Sequence, residues 1–108
     1  MLEQSVVRVI TNYVAAVRNN GITVDHAVVF GSQVSGHSHA YSDIDLLIVS
    51  PDFDNMRDRS GINLLWRLAA KVDSRIEPIP CGSLQWKHDD SSAIIEIVRQ
   101  QGELLQAA

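Results

Sequence analysis

The chain has 108 residues, 45% of them hydrophobic and 20% charged, with a formal net charge of -4. That length holds one domain, residues 1–108, with enough apolar content for a core, and its charge balance belongs to a folded soluble protein. The negative charge argues against a general nucleic-acid binder, which normally carries a basic surface, but not against an anionic ligand held through metal ions. The lone Cys81 cannot form an intrachain disulfide and fits a reducing, cytoplasmic setting. The first residues show no basic segment followed by a long apolar core, so no signal peptide is expected. No apolar run approaches the roughly 20 residues of a membrane span.

Leu2, Val6, Val9, Ile10, Tyr13 and Val17 recur at helical spacing and predict an amphipathic helix over 3–19. Asn19-Asn20-Gly21 stops it, with Gly21 suited to the left-handed position after the cap. Ala27-Val28-Val29-Phe30 predicts a short buried strand over 26–30. Gly31 to Gly36 reads as a turn into a brief helix with Ser32 as its N-cap, and His37 to Ser42 as a polar loop. Residues 43–49 predict a second strand, ended by Ser50-Pro51. Asp52 to Ser60, with Arg57 and Arg59, reads as an exposed loop.

Ile62, Leu65, Ala69 and Val72 predict a second long helix over 60–72, with Leu64 and Trp66 off its stripe. Ser74 to Pro80 predicts a third strand, and Pro78 and Pro80 place it at a sheet edge. Cys81 to Asp90 reads as a loop. Ser91-Ser92 starts a last helix to Gln101 with Ile94, Ile97 and Val98 inward. Gly102 closes it, and Leu104-Leu105 adds a short terminal strand. The order predicts a small α/β (α+β) fold: a mixed sheet of three to four strands flanked by helices and covered mostly on one face.

Three features carry chemistry. Asp43 and Asp45, two apart on a strand, share a face with Cα atoms roughly 6.5 Å apart. Carboxylates so placed reach one divalent ion, or help hold two ions about 3.5–4 Å apart as in two-metal phosphoryl chemistry. Oxygen ligands suit Mg²⁺ or Mn²⁺. Asp is disfavoured in strands, and two like charges need a cation or a proton between them. Taken alone the pair is more simply a turn cap and an exposed strand residue. Glu77, within Arg75-Ile76-Glu77-Pro78, offers a third carboxylate if its strand lies beside the second; otherwise it is an exposed edge charge. Asp73 competes with it but suits the end of a helix better. Gly31-Ser32 makes the third feature, a turn whose backbone N–H groups and hydroxyl can meet a phosphate, though Gly-Ser turns are common and the Lys of a P-loop is absent.

The compound pattern Val28-Val29-Phe30-Gly31-Ser32, then Ser42-Asp43-Ile44-Asp45-Leu46-Leu47-Ile48-Val49, then Ile76-Glu77-Pro78, resembles the nucleotidyltransferase superfamily that includes DNA polymerase β. More narrowly it resembles the minimal nucleotidyltransferase (MNT) group. The likeness extends to the helix and strand that end the chain. It implies the nucleotidyltransferase fold and transfer of a nucleoside monophosphate, AMP from ATP being the expected case, to a hydroxyl. By the same resemblance Asp43 and Asp45 ligate Mg²⁺ (two ions expected), Glu77 completes the site and helps activate the acceptor, and Gly31 and Ser32 hold the triphosphate. Many minimal members carry an arginine shortly after Gly-Ser; Gln33-Val34-Ser35 stands there instead. His37 and His39 lie nearby, and Arg57 and Arg59 could swing toward phosphates from their loop, but all four read more simply as polar or solvated loop residues.

Such domains are often the antitoxin of a pair whose toxin is a helical HEPN ribonuclease, so the resemblance implies a HEPN-type partner protein, with homo-oligomers also open. The competing reading is a partner-binding module of the same fold with little or no catalysis. A third is an α/β domain whose acidic residues have no shared task.

Overall fold

A computed structural model describes residues 2–35, 42–56, 58–88 and 92–105. Expectations for Gly36, His37, His39, Arg57 and Ser91 lie outside those residues. Helix α1 spans Gln4–Asn19 and strand β1 His26–Phe30; a short helix α2, Ser32–Ser35, leads to β2, Ile44–Ser50. After a 3₁₀ turn at Pro51–Phe53 come α3 (Ser60–Val72), β3 (Ile76–Gly82), α4 (Ser83–His88), α5 (Ala93–Gln101) and β4 (Glu103–Leu105).

The sheet order is β3-β2-β1-β4. β1 pairs antiparallel with β2 and β4, and β2 pairs parallel with β3. The central β2 has buried apolar residues on both faces, as a covered strand should. The two prolines sit on β3, which is an edge strand as its sequence predicts.

α1 follows its predicted stripe, with Val14 buried in place of the half-buried Val9. It ends in a Schellman motif: Gly21 N–H donates to Arg18 O (3.0 Å), Ile22 N–H donates to Val17 O (3.4 Å), and Gly21 has φ +94°. The buried Tyr13 hydroxyl donates to Leu65 O of α3 at 2.9 Å and joins the two long helices. These helices cover one face, whose core includes Ala27, Val29, Ile44, Leu46, Ile48 and Ile76.

The other face is not bare. Val28, Leu47, Val49 and Cys81 form a second core with Ile95 and Val98 of α5, flanked by Phe30, Ile79 and Trp86. The segment expected to be a loop, 81–90, instead extends β3 through Gly82 and then forms α4. Remote partners make that helix. Asp54 caps its start, accepting from Leu84 N–H at 3.1 Å. Arg99 closes its end, donating from Nε to Trp86 O at 2.8 Å and from Nη2 to Gln85 O at 3.1 Å. Arg99 also lies 5.6 Å over the Trp86 ring. This grip orients α5, so Ile95 and Val98 face inward while Ile94 and Ile97 are 45% and 49% exposed, against expectation for that pair. Ser92 caps α5 as predicted, whereas Gly102 ends it in an extended, not left-handed, conformation.

His26 of β1 joins this second face to α4, its ring 5.4 Å from that of Trp86 and edge-on to it. Its Nε2 is buried without a hydrogen-bond partner among the described residues. Burial lowers its pKa, with Asp25 opposing the shift and Lys87 adding to it. The unfolded chain therefore takes up this proton more readily than the folded one. The stability due to neutral His26 is complete above the unfolded value near ~6.5 and is lost as pH falls below it through the lowered folded-state value. The melting temperature should drop between pH 7.5 and 5.5, and more steeply in the native chain than in His26→Phe; parallel pH profiles in thermal melts would contradict this role.

Candidate active site

The site begins where β1 runs out. Phe30 is the last strand residue, and the chain turns at Gly31 with φ +77°. Residues with a Cβ rarely adopt that conformation. Gly31 O accepts from Val34 N–H and Ser35 N–H, both at 3.1 Å, so α2 is built on Gly31 and Ser32 is its first residue, not its N-cap. A Cβ on Gly31 would lie 2.3 Å from Asp45 Oδ2. The turn thus needs glycine twice, for its backbone and for the carboxylate packed against it.

Sheet register assembles the acidic residues. Phe30 stands opposite Asp45 in the antiparallel pair, and Asp45 stands beside Glu77 in the parallel pair. The three form one row across β1, β2 and β3 on one sheet face. Asp43, expected inside β2, lies one residue before it and is exposed; Asp45 and Glu77 are half-buried. Asp43 reaches the same point, since Glu77 meets both aspartates. The Glu77 carboxyl is pushed above its ordinary range, first by burial, then by the Asp43 charge, and further by its hydrogen bonds to Asp45 and Asp43 and the Asp45 charge. Asp73 is elsewhere: it follows α3 and pairs with Arg75 at 2.8 Å, which holds its carboxyl low.

Gln33 was not singled out by sequence reasoning beyond the missing arginine. It is buried, and its Nε2 donates to Ser42 O at 3.3 Å and Asp43 O at 3.2 Å. The turn and the aspartate strand are thereby tied together. Nothing in the local sequence marks this residue, because its partners lie across the 36–41 segment.

Beside the turn, Phe30, Gly31, Val34, Ser35, Ile94 and Ile97 line a groove of about 530 Å³. Its exposed isoleucines were expected in the core. A smaller cavity of about 320 Å³ includes Asp52 and Asp58 in its lining. Those carboxylates are engaged locally, Asp52 with Thr23 N–H at 2.9 Å and Asp58 with the Ser60 hydroxyl at 2.7 Å.

Among the described residues, no three His, Cys, Asp or Glu side chains already stand in metal-ligating geometry. Asp43, Asp45 and Glu77 nonetheless suit a hard divalent cation chemically. All three supply oxygen donors, they converge, and they relieve their mutual repulsion through hydrogen bonds that a cation would replace.

Residues 10–100 match the nucleotidyltransferase domain family. The fold described above is therefore that of a nucleotidyl-transfer domain, and this chain is a member of that family and an enzyme of that class. No curated protein matches the sequence. Two solved structures share the fold. One is a Sulfolobus solfataricus protein assigned to the nucleotidyltransferases, with TM-score 0.60 and 16% identity over 90% of this chain and 76% of the other. The other is a toxin-antitoxin structure with AMP-PNP, with TM-score 0.59 and 21% identity over 91% of this chain and 73% of the other. Among the described residues no helix is long and apolar enough to cross a membrane.

Glu77 holds its proton more tightly in the folded chain than in the unfolded one. Protonated Glu77 favours the folded state below its unfolded value near ~4.3, and that contribution is lost as pH rises through the folded-state value. Ionised Glu77 therefore opposes folding at neutral pH when no cation is present. In EDTA, Glu77→Gln should melt above the native chain at pH 7.5, with the gap closing toward pH 4; equal melting temperatures at pH 7.5 would contradict the crowding of these carboxylates.

Proposed function

We propose that the chain transfers a nucleoside monophosphate, AMP from ATP, to a hydroxyl group on a partner protein. The observation that carries this reading is the Phe30–Asp45–Glu77 row, with Asp45 packed against the Gly31 turn and Asp43 meeting Glu77. Asp43, Asp45 and Glu77 would hold Mg²⁺, two ions being the expected number. Bound there, Mg²⁺ supplies the positive charge that a triphosphate needs beside three carboxylates.

The protein's own residues set the rest. Gly31 and Ser32 present backbone N–H groups and a hydroxyl to the triphosphate. The groove walled by Phe30, Val34, Ile94 and Ile97 shares Gly31 with that turn, and it would take the nucleoside against apolar side chains. The acceptor oxygen attacks the α-phosphorus in line, a new P–O bond forms, and the bond to the β-phosphate oxygen breaks with pyrophosphate leaving. Glu77, beside Asp45 in the sheet register, would take the acceptor proton as general base.

The protein partner is inferred from two facts. A structural neighbour is a toxin-antitoxin protein with AMP-PNP, and α5 and β4 expose Ile94, Ile97 and Leu104. On this reading the chain is the antitoxin beside a helical HEPN-type toxin. Labelling the co-expressed partner with α-phosphate-labelled ATP and Mg²⁺ tests it. Asp45→Ala should cut labelling roughly 10²-fold or more. Label transfer unchanged by Asp43→Ala and Asp45→Ala would refute catalysis at this site. A partner that binds motif-mutant and native chains alike, with no labelling by either, would favour the binding-module reading. Ile97→Glu, which puts a charge in the groove, should weaken binding of a non-hydrolysable ATP analogue at least ~10-fold while Mn²⁺ binding changes little; undiminished analogue binding would remove the nucleoside from the groove.

A further inference from the structure

Residue 33 directly follows the Gly31-Ser32 turn. Here it is a glutamine, and it turns away from solvent: only 8% of it is exposed. Its Nε2 carries two hydrogens and reaches two carbonyls, Ser42 O at 3.3 Å and Asp43 O at 3.2 Å. Both belong to the residues just before β2 begins at Ile44. On the other side of that junction, Ile44 N–H donates to Arg75 O at 2.8 Å, leading into the β2–β3 ladder. The backbone carrying Asp43 is therefore pinned from both sides, by Gln33 from α2 and by β3 from the sheet.

We propose that Gln33 is a positioning residue for Asp43. It joins the glycine turn to the aspartate-bearing strand, so that the phosphate-facing turn and the carboxylates hold one fixed spacing. It touches neither nucleotide nor cation, and it acts through the Ser42–Asp43 backbone. The inference rests on the reading of Asp43, Asp45 and Glu77 as a divalent-cation site.

The amide, not the bulk, is what the inference requires. Gln33→Met keeps the length and volume of the side chain but removes both donors. Mn²⁺ affinity of the full chain, measured by titration without nucleotide, should fall about 10-fold or more, the range seen when a group that orients a ligand is lost. In an Asp43→Ala background, Gln33→Met should change the remaining Mn²⁺ affinity by less than about twofold, because the residue through which it acts is gone. A merely structural role would weaken binding equally in both backgrounds, and that result would overturn the proposal. So would Mn²⁺ affinity unchanged by Gln33→Met in the native background.

Should Gln33→Met fail to fold, the native chain still decides. The side-chain amide resonances of Gln33 should shift during a Mg²⁺ titration with the midpoint of cation binding, and should stay fixed in Asp43→Ala. Resonances that ignore Mg²⁺ in the native chain while the cation binds overturn the proposal. A native chain that binds neither Mn²⁺ nor Mg²⁺ defeats the metal-site reading itself, and the inference falls with it.

Discussion

The Asp45 carboxylate occupies the space that a Cβ at Gly31 would fill. That contact is the constraint around which the chain is arranged. It brings the end of β1 against the start of β2 and leaves Asp45 half-buried. Glu77 stands beside Asp45 through the parallel register of β3. Three carboxylates crowded at one sheet end are unfavourable in isolation. A fold that spends stability there, with glycine held at φ +77°, does so at a place suited to charge neutralisation by a ligand.

The rest of the molecule holds this row in place from two sides. α1 and α3 cover one face, joined by Tyr13 and Leu65. On the other face α4 and α5 cover Val28, Leu47, Val49 and Cys81. The carboxylates share that second face, beyond the residues these helices cover, where Phe30 ends β1. The same strand alternation that buries Leu47 and Val49 therefore presents Asp45, while Asp43 lies one residue before the strand. Gln33 adds a polar tie between the turn and the strand.

Much of this was legible in the residues. α1, β1, β2 and α3 have strong periodicity, and the structure places them within a residue or two of their predicted bounds. The two-residue period put Asp43 and Asp45 on one strand face, but only Asp45 lies within β2. What escaped depends on contacts distant in sequence. α4 has only six residues, and its caps come from Asp54 and Arg99. α5 offers two equivalent pairs at helical spacing, Ile94 with Ile97 and Ile95 with Val98. Sequence periodicity cannot choose between them, whereas the grip of Arg99 on Trp86 does. The alignment of Glu77 with Asp45 is likewise a matter of strand register. Residues alone could offer Glu77 only as a candidate.

The central claim is that these three carboxylates form a divalent-cation site serving nucleotidyl transfer. Anomalous diffraction from crystals grown with Mn²⁺ and a non-hydrolysable ATP analogue tests it most directly. The account predicts Mn²⁺ bound by Asp43, Asp45 and Glu77, with the triphosphate against Gly31 and Ser32. Mn²⁺ absent from the triad while the analogue is bound, or bound instead beside Asp52 and Asp58, would contradict it.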